Sequence, residues 1–524
     1  MVRGQELVYN TNATAMQMAN EIFGDGVTVV SATYTGDSRS SAIYSRGDNL
    51  SPDATPSDTG VILSTGLAAD FTNRTGNANQ NAGTSTNTSG PNNDPNFNAL
   101  AGTSTFDASF LTVNFIPQGD TLTMQFVFAS EEYPEFVNSV FQDVVGVWVN
   151  GQPVQLSVGD GTVDPSSINT TNNQNLFVDN TGSNFNTEMD GFTVTLTLKA
   201  QVIPGQVNTI KIGIADVSDS NFDSSLLIAG GSMQTAFIAS DDSVTLAPGA
   251  SKTIDVLGND TAANPATLTI THINGQAVGA GSTVTLSTGQ QITLNADGTF
   301  TILGDADTET VSFTYTAVAN GISDTAFVTI NQVPCFVRGT RIETPGGEVA
   351  VEALAVGDLV NTLDDGPRPV RWVGRRRVAA EGRFAPVRIR EGALGVRRDL
   401  WVSPQHRVLI RDVWAELMFG EAEVLVAAKD LVNDASIRVE ERPGEEVDYF
   451  HLLFDNHQVI RAEGLETESF LPGPQIQSMF EAEVLEELVA LFPELDPATG
   501  QGYGAASRPT LRGFEAGVLS ARLS

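Results

Sequence analysis

Cys335 is the single cysteine among 524 residues, and it stands at the head of the segment CFVRGTRIETPGGEVAVEALAVGD. A thiol at the start of a domain can attack the carbonyl just before it. The sulfur, Cβ, Cα and nitrogen of Cys335 close a five-membered ring with the carbonyl carbon of Pro334, so proximity is built into the covalent structure. Collapse of that ring exchanges an amide for a thioester. The reaction also needs a proton donor for the displaced nitrogen and donors for the developing oxyanion. An imidazole, with an ordinary pKa of about 6.5, suits the first task. Three of the four histidines follow the cysteine: His406 in WVSPQHRVLI, and His451 and His457 in YFHLLFDNHQVIRAEG. Ser403 lies three residues before His406. The bland alternatives are a cysteine acting as a small buried hydrophobe and histidines satisfied inside a sheet.

The elements that must hold these groups are strands. EVAVEAL, DLVNTL, PVRWVG, APVRIR, LWVSPQHRVLI and YFHLLFDNHQVIRAEG are short and rich in β-branched residues. QIQSMFEAEVLEELVALFPEL places Met479, Val484, Leu485, Leu488 and Leu491 on one face, which predicts a helix near the end. Charge divides the chain at the same cysteine. Residues 1–334 carry 7 basic and 32 acidic residues, a net of 7 − 32 = −25; residues 335–524 carry 21 and 31, a net of −10.

These blocks resemble, in order, the opening, Thr-x-x-His and closing blocks of the Hint domain, the fold shared by hedgehog autoprocessing domains and inteins. The likeness covers roughly residues 335–470. It implies Cys335 as nucleophile, His406 as the acid that protonates the leaving amine, Ser403 as the oxyanion-stabilising or orienting hydroxyl, and His457 and His451 as assisting groups. Ser403 stands where the family usually has Thr. His457 falls on the intein histidine, but Gln458 replaces the terminal Asn and Val459 the downstream nucleophile, so the expectation is cleavage at Pro334–Cys335 without splicing and with no cofactor.

Residues 1–334 read differently. Ala15, Met18, Ala19, Ile22 and Phe23 predict one helix within residues 1–25, stopped by Gly24. TLTMQFVFASEEY, VVGVWVNG, FTVTLTLKAQVI and NTIKIGIADVSD predict strands of a β-sandwich or jelly roll, with residues 73–96 a polar surface loop. FVFASEEYPEFVNSVFQDVVGVWVNG and IKIGIADVSDSNFDSSLLIAGG resemble the choice-of-anchor L domain of bacterial surface proteins, which implies an exported module. DVLGND and LNADGTFTIL resemble cadherin-like repeats, on an immunoglobulin- or cadherin-like β-sandwich. The expected fold is therefore all-β and multidomain: 1–238 choice-of-anchor L-like, 239–333 cadherin/Ig-like, 334–472 Hint, and 473–524 helix and tail.

Composition limits the partners. A net charge of −35 argues against nucleic acid and anionic membranes. One cysteine excludes a disulfide framework, and no stretch approaches the roughly 18 apolar residues of a membrane span. The start lacks the basic and apolar regions of a Sec signal, so secretion or surface display by a type I-like route is expected. Calcium is the expected ion for residues 1–334, with Glu131, Glu132, Asp143, Asp216, Asp219 and Asp223 as candidate ligands and Asp255 and Asp260 behind them. With His272 the only histidine before Cys335, no Ser-His-Asp set is available there. The alternative to self-cleavage is a non-catalytic, calcium-dependent adhesin or matrix protein that binds cell-surface glycans and carries an inert Hint scaffold.

Overall fold

The computed structural model describes residues 2–470 and 506–511, apart from 82, 138, 158–160, 247–250, 263–266, 306–309, 332–335, 381–384, 405, 420, 434 and 443–444. The described residues are 44% strand and 9% helix. Pro334, Cys335 and the predicted helix of residues 475–495 lie outside the described residues.

Two sheets form the first body. One orders Val8–Asn10, Ser41–Ser45, Thr59–Ser64, Ser224–Ala229, Thr121–Ser130, Gly191–Thr193 and Phe177–Asp179, with Leu196–Gln201 also on Thr121–Ser130. The other orders Val27–Thr35, Thr105–Pro117, Asn208–Val217, Val144–Val149 and Gln152–Pro153. Alternate residues of facing strands meet between them: Leu111, Val113 and Phe115 from one side, Phe126 and Phe128 from the other. Burying each such side chain contributes on the order of 2 kcal/mol.

The predicted N-terminal helix is shorter than residues 1–25. It spans Ala15–Ile22, because Thr14 and Gln17 form a capping box that fixes its start and Phe23 already returns to extended backbone. Val8–Asn10 instead pairs with Ser41–Ser45. The predicted loop 73–96 ends in the helix Pro95–Ala101, which the Asp94 side chain caps. Before it the described residues carry no strand or helix but are pinned: the amides of Gln80 and Asn81 donate to Glu188, and that of Thr86 donates to Asp223.

The middle body is a smaller sandwich. Asp242–Thr245, Ile322–Asn331, Thr310–Ala319, Thr269–Ile273 and Gln276–Ala277 face Ser251–Ile254, Phe300–Leu303, Gln291–Leu294 and Thr283–Thr285. It is seated on the first body by polar bonds. The hydroxyl of Thr123 and the amide of Ala239 both donate to buried Asp324, at 2.7 and 2.9 Å. Gln125 Nε2 donates to the Ser323 carbonyl at 2.8 Å. Phe327 joins the first body's core.

Beyond residue 335 two further sheets wrap one core. The first orders Trp372–Ala379, Glu446–Leu453, Phe336–Val337, Leu400–Val402, Val387–Ile389 and Ile437–Val439. The second holds Gly347–Ala350, Arg341–Thr344, Val459–Ala462, Leu465–Glu468, Arg407–Arg411 and Glu423–Ala427, with Leu359–Thr362 and Gly366–Pro369 alongside. The predicted strand LWVSPQHRVLI is thus two strands, one in each sheet. Residues 506–511 fold back onto this unit: Leu425 donates to the Pro509 carbonyl at 2.8 Å and Leu511, itself buried, donates to the Leu425 carbonyl at 2.9 Å. Among the described residues no helix is long and apolar enough to cross a membrane.

Candidate functional site

The break between Leu400–Val402 and Arg407–Arg411 creates the first site. The chain turns there, with the His406 amide donating to the Ser403 carbonyl at 3.0 Å and the His406 carbonyl accepting from Ala428 at 3.0 Å. The turn drops the imidazole into the core, 2% exposed, where neither ring nitrogen meets a hydrogen-bond partner among the described residues. Its ring lies 4.2 Å from that of Phe336, centroid to centroid. Phe336 is the residue after Cys335 and pairs with Val402 on one side and Phe450 on the other. Burial pushes the His406 ring down to about 4, against an opposing pull from the Glu468 carboxylate. The ring is therefore neutral at neutral pH. Ser403 is buried beside it.

His451 is buried on the strand Glu446–Leu453, its ring 5.3 Å from that of Phe470. His457 has both nitrogens engaged. The Ser507 amide donates to Nδ1 at 3.0 Å, so Nε2 carries the hydrogen and donates it to the Ser469 carbonyl at 3.1 Å. Its tautomer is set by the backbone on both sides.

The structure adds a residue that sequence reasoning missed. Glu468 is 1% exposed at the end of Leu465–Glu468. It accepts from the Arg407 amide at 2.9 Å and from its guanidinium at 3.3 Å, and lies 3.6 Å from His457 Nε2. Burial raises this carboxyl, but the Arg407 charge and the two histidines outweigh it and hold the group at about 2. A carboxylate thus stays ionised in the core beside the neutral His406. The visible signal was the residue pair His406–Arg407; nothing nearby in sequence pointed to position 468.

The second site lies in the first body, where Thr121–Ser130 ends against the start of Ser224–Ala229. Ser130 pairs with both Ser224 and Gly191, which gathers the acidic residues just beyond each strand. Glu131, Glu132, Asp143, Asp216 and Asp223 are buried there, 1–3% exposed, while Asp219 is half-buried. Burial and then the neighbouring Asp190 carboxylate push Glu131 up to about 10. Burial raises Asp223 to about 7 and also raises Glu132, Asp143 and Asp216. Asp255 and Asp260 lie apart, in the middle body; the Tyr315 hydroxyl donates to Asp260 at 3.0 Å.

Comparison with known proteins matches three family models in succession: the choice-of-anchor L domain at residues 7–234, a bacterial Ig domain at 234–331, and the Hint domain at 334–474. Similar solved structures include the MchDnaB-1 intein, at 15% identity over 26% of this chain and 99% of that one, with a TM-score of 0.18. The gp41-1 intein shows 16% identity over 26% and 98%, with a TM-score of 0.17. A bacterial intein-like domain from Clostridium thermocellum shows 15% over 26% and 100%, with a TM-score of 0.19. No curated protein sequence matches the chain significantly. The chain is a multidomain, nearly all-β protein with a Hint domain over residues 334–474. It joins a choice-of-anchor L domain, a bacterial Ig domain and a Hint domain, a combination that suggests a modular bacterial surface protein. The middle body, expected as a cadherin/Ig-like β-sandwich, matches a bacterial Ig domain.

Proposed function

We propose that the Hint domain cuts its own chain between Pro334 and Cys335 without splicing. The neutral His406 ring takes the Cys335 thiol proton as the sulfur bonds to the Pro334 carbonyl carbon. The C–N bond then breaks, and the imidazolium returns the proton to the departing nitrogen. Water hydrolyses the resulting thioester, leaving a carboxylate on Pro334 and a free thiol on Cys335. Ser403 orients the turn or supports the oxyanion, with His451 and His457 buried nearby. Glu468 is a positioning residue: its charge favours the transient imidazolium and its bonds hold Arg407, the neighbour of His406. The observation that carries this reading is a buried imidazole, without a hydrogen-bond partner among the described residues, packed against Phe336, the residue after Cys335.

Intact-mass spectrometry of purified full-length chain, with and without dithiothreitol, tests it. The expected result is two fragments split at 334/335, absent from Cys335→Ala and at least 100-fold slower to form in His406→Ala, a general acid–base contribution of ordinary size. A single mass indistinguishable from that of Cys335→Ala overturns it.

For residues 1–331 we infer a secreted or surface-displayed adhesion module that engages glycans or matrix in a calcium-dependent way, supported by the carboxylates buried in the first body. A glycan array probed with and without EGTA tests this; binding to nothing, or binding indifferent to EGTA, counts against it.

A further inference from the structure

Deepening the calcium-dependent reading of residues 1–331, we propose that the Ser130–Ser224 end of the first body binds a hard divalent cation of the calcium class, with Glu131, Glu132, Asp143, Asp216 and Asp223 supplying the anionic oxygens.

Burying one carboxylate without a partner costs several kcal/mol; here five are buried at one sheet end. The ion pairs of this body spend its cations elsewhere. Among the described residues Arg39, Arg74, Lys199 and Lys211 hold Asp37, Glu6, Asp241 and Asp94. Hydrogen bonds cover only part of the deficit. Asp143 accepts from the Ser224 hydroxyl at 2.7 Å and the Val217 amide at 3.2 Å, and Asp223 Oδ1 accepts from the Thr86 amide at 2.8 Å. Among the described residues Glu132 Oε2, Asp216 Oδ1 and Asp223 Oδ2 meet no hydrogen-bond partner, and the Glu131 carboxyl has only the Thr84 side chain beside it. Buried acceptor oxygens short of donors, on carboxylates close enough for Glu131 to feel Asp223, Glu132 to feel Asp143, and Asp216 to feel both Asp143 and Asp223, are the complement of a cation.

The backbone is shaped to keep them close. The Glu131 amide donates to the Asp223 carbonyl at 3.2 Å, and the Glu132 amide donates to Ser130 Oγ at 2.9 Å. Ser224 Oγ, 2.8 Å from Ser130 Oγ, adds a neutral oxygen at the centre. Gly66 is required here: a Cβ at that position would lie 1.8 Å from Asp223 Oδ2. As the side chains stand, no three acidic, histidine or cysteine residues among those described close on a common point. Asp143 and Asp216 instead hydrogen-bond to each other, a contact that needs a shared proton or an intervening cation. Drawing the set together takes rotation of Glu131 and Glu132 about their side-chain bonds, with Glu131 exchanging the Thr84 side chain for the ion.

The donor chemistry selects the metal class. All the donors are oxygens, carboxylate and hydroxyl, and no thiolate or imidazole stands among them. Calcium takes six to eight such ligands in flexible geometry, whereas magnesium demands a small octahedral shell and keeps its waters.

The test uses full-length Cys335→Ala chain, stripped with EDTA and dialysed against calcium chloride at constant ionic strength. Bound calcium is counted by mass spectrometry of the metal, alongside a thermal melt. At least one calcium per chain, with a melting temperature raised by calcium and not by equivalent sodium, is expected. Asp216→Asn and Glu132→Gln should each lower the count by one or more, whereas Asp260→Asn should leave it unchanged. No bound calcium in the unmutated chain overturns the proposal whether or not the variants fold. A count lowered only by Asp260→Asn overturns it too. A normal count with no EGTA effect on glycan binding sinks the adhesion reading and leaves the cation site standing.

Discussion

His406 and Glu468 show how one buried cluster keeps a ring uncharged and a carboxylate ionised, each felt by the other. The histidine is held near 4 and the carboxylate near 2, so at neutral pH one is uncharged and the other ionised. The consequence for stability follows by linkage. His406 binds its proton less readily folded than unfolded, so its contribution is complete above pH 6.5 and is lost as pH falls from 6.5 towards 4. Glu468 adds a loss between 4.5 and 2, through its own depressed value. Urea denaturation of Cys335→Ala across this range should show the Hint unit losing roughly 3 kcal/mol over the first window, the worth of a 2.5-unit shift. Glu468→Gln should cost about 3 kcal/mol at pH 7 by leaving Arg407 without its partner. It should also move the histidine window downward, because the charge that holds the ring up is gone. A window that stays in place while stability falls would make Glu468 a packing residue with no influence on the imidazole. The Ser403–His406 turn was legible because its residues are adjacent in sequence. Glu468 was not, because an alternating strand hides which of its acidic residues faces inward, and its partner is an arginine more than sixty positions earlier.

At the scale of elements, strands were read well and their ends poorly. The predicted strand NTIKIGIADVSD stands as Asn208–Val217, whereas its neighbour Thr105–Pro117 was not among the predicted strands. The turn at Ser403–His406 was readable, but that the strands on its two sides belong to different sheets was not. The helix near the start was called too long, since apolar spacing marks a helix's face while the Thr14 cap marks its beginning. Glu131 and Glu132 look like a solvated turn after FVFAS, and only the approach of Asp223 and Asp143 from distant strands buries them. The return of residues 506–511 was equally invisible, because its partner strand is some eighty residues away. Leu511 is buried there, so Leu511→Ala should destabilise the Hint unit by about 2 kcal/mol while leaving the melting of the first two bodies unchanged. Denaturation followed by the fluorescence of Trp372 and Trp401 would measure it; no change would mean the segment only lies on the surface.

Across the whole molecule, the first two bodies are held by more than a covalent link. Asp324 takes bonds from Thr123 and Ala239, and burial raises its pKa to about 7 against the favourable pull of Lys199. Lys199 in turn pairs with Asp241 at 2.6 Å. Asp324→Ala leaves buried donors without an acceptor at a cost of about 2 kcal/mol. Calorimetry of residues 1–331 within the Cys335→Ala chain should show one joint transition for the two sandwiches, resolving into two in the variant. Two transitions in the unmutated chain would mean the contact is incidental. This coupling was unreadable from composition, which marked the change of regime at Cys335 and gave no sign of the earlier join.

The strap formed by Ser507 to Leu511 supplies the donor that fixes His457 and pairs with the edge at Leu425. Synthesis runs from the other end, so those residues emerge after both sandwiches are already outside the ribosomal tunnel. A growing chain therefore carries its Hint unit without this strap while both sandwiches have already had their turn to fold.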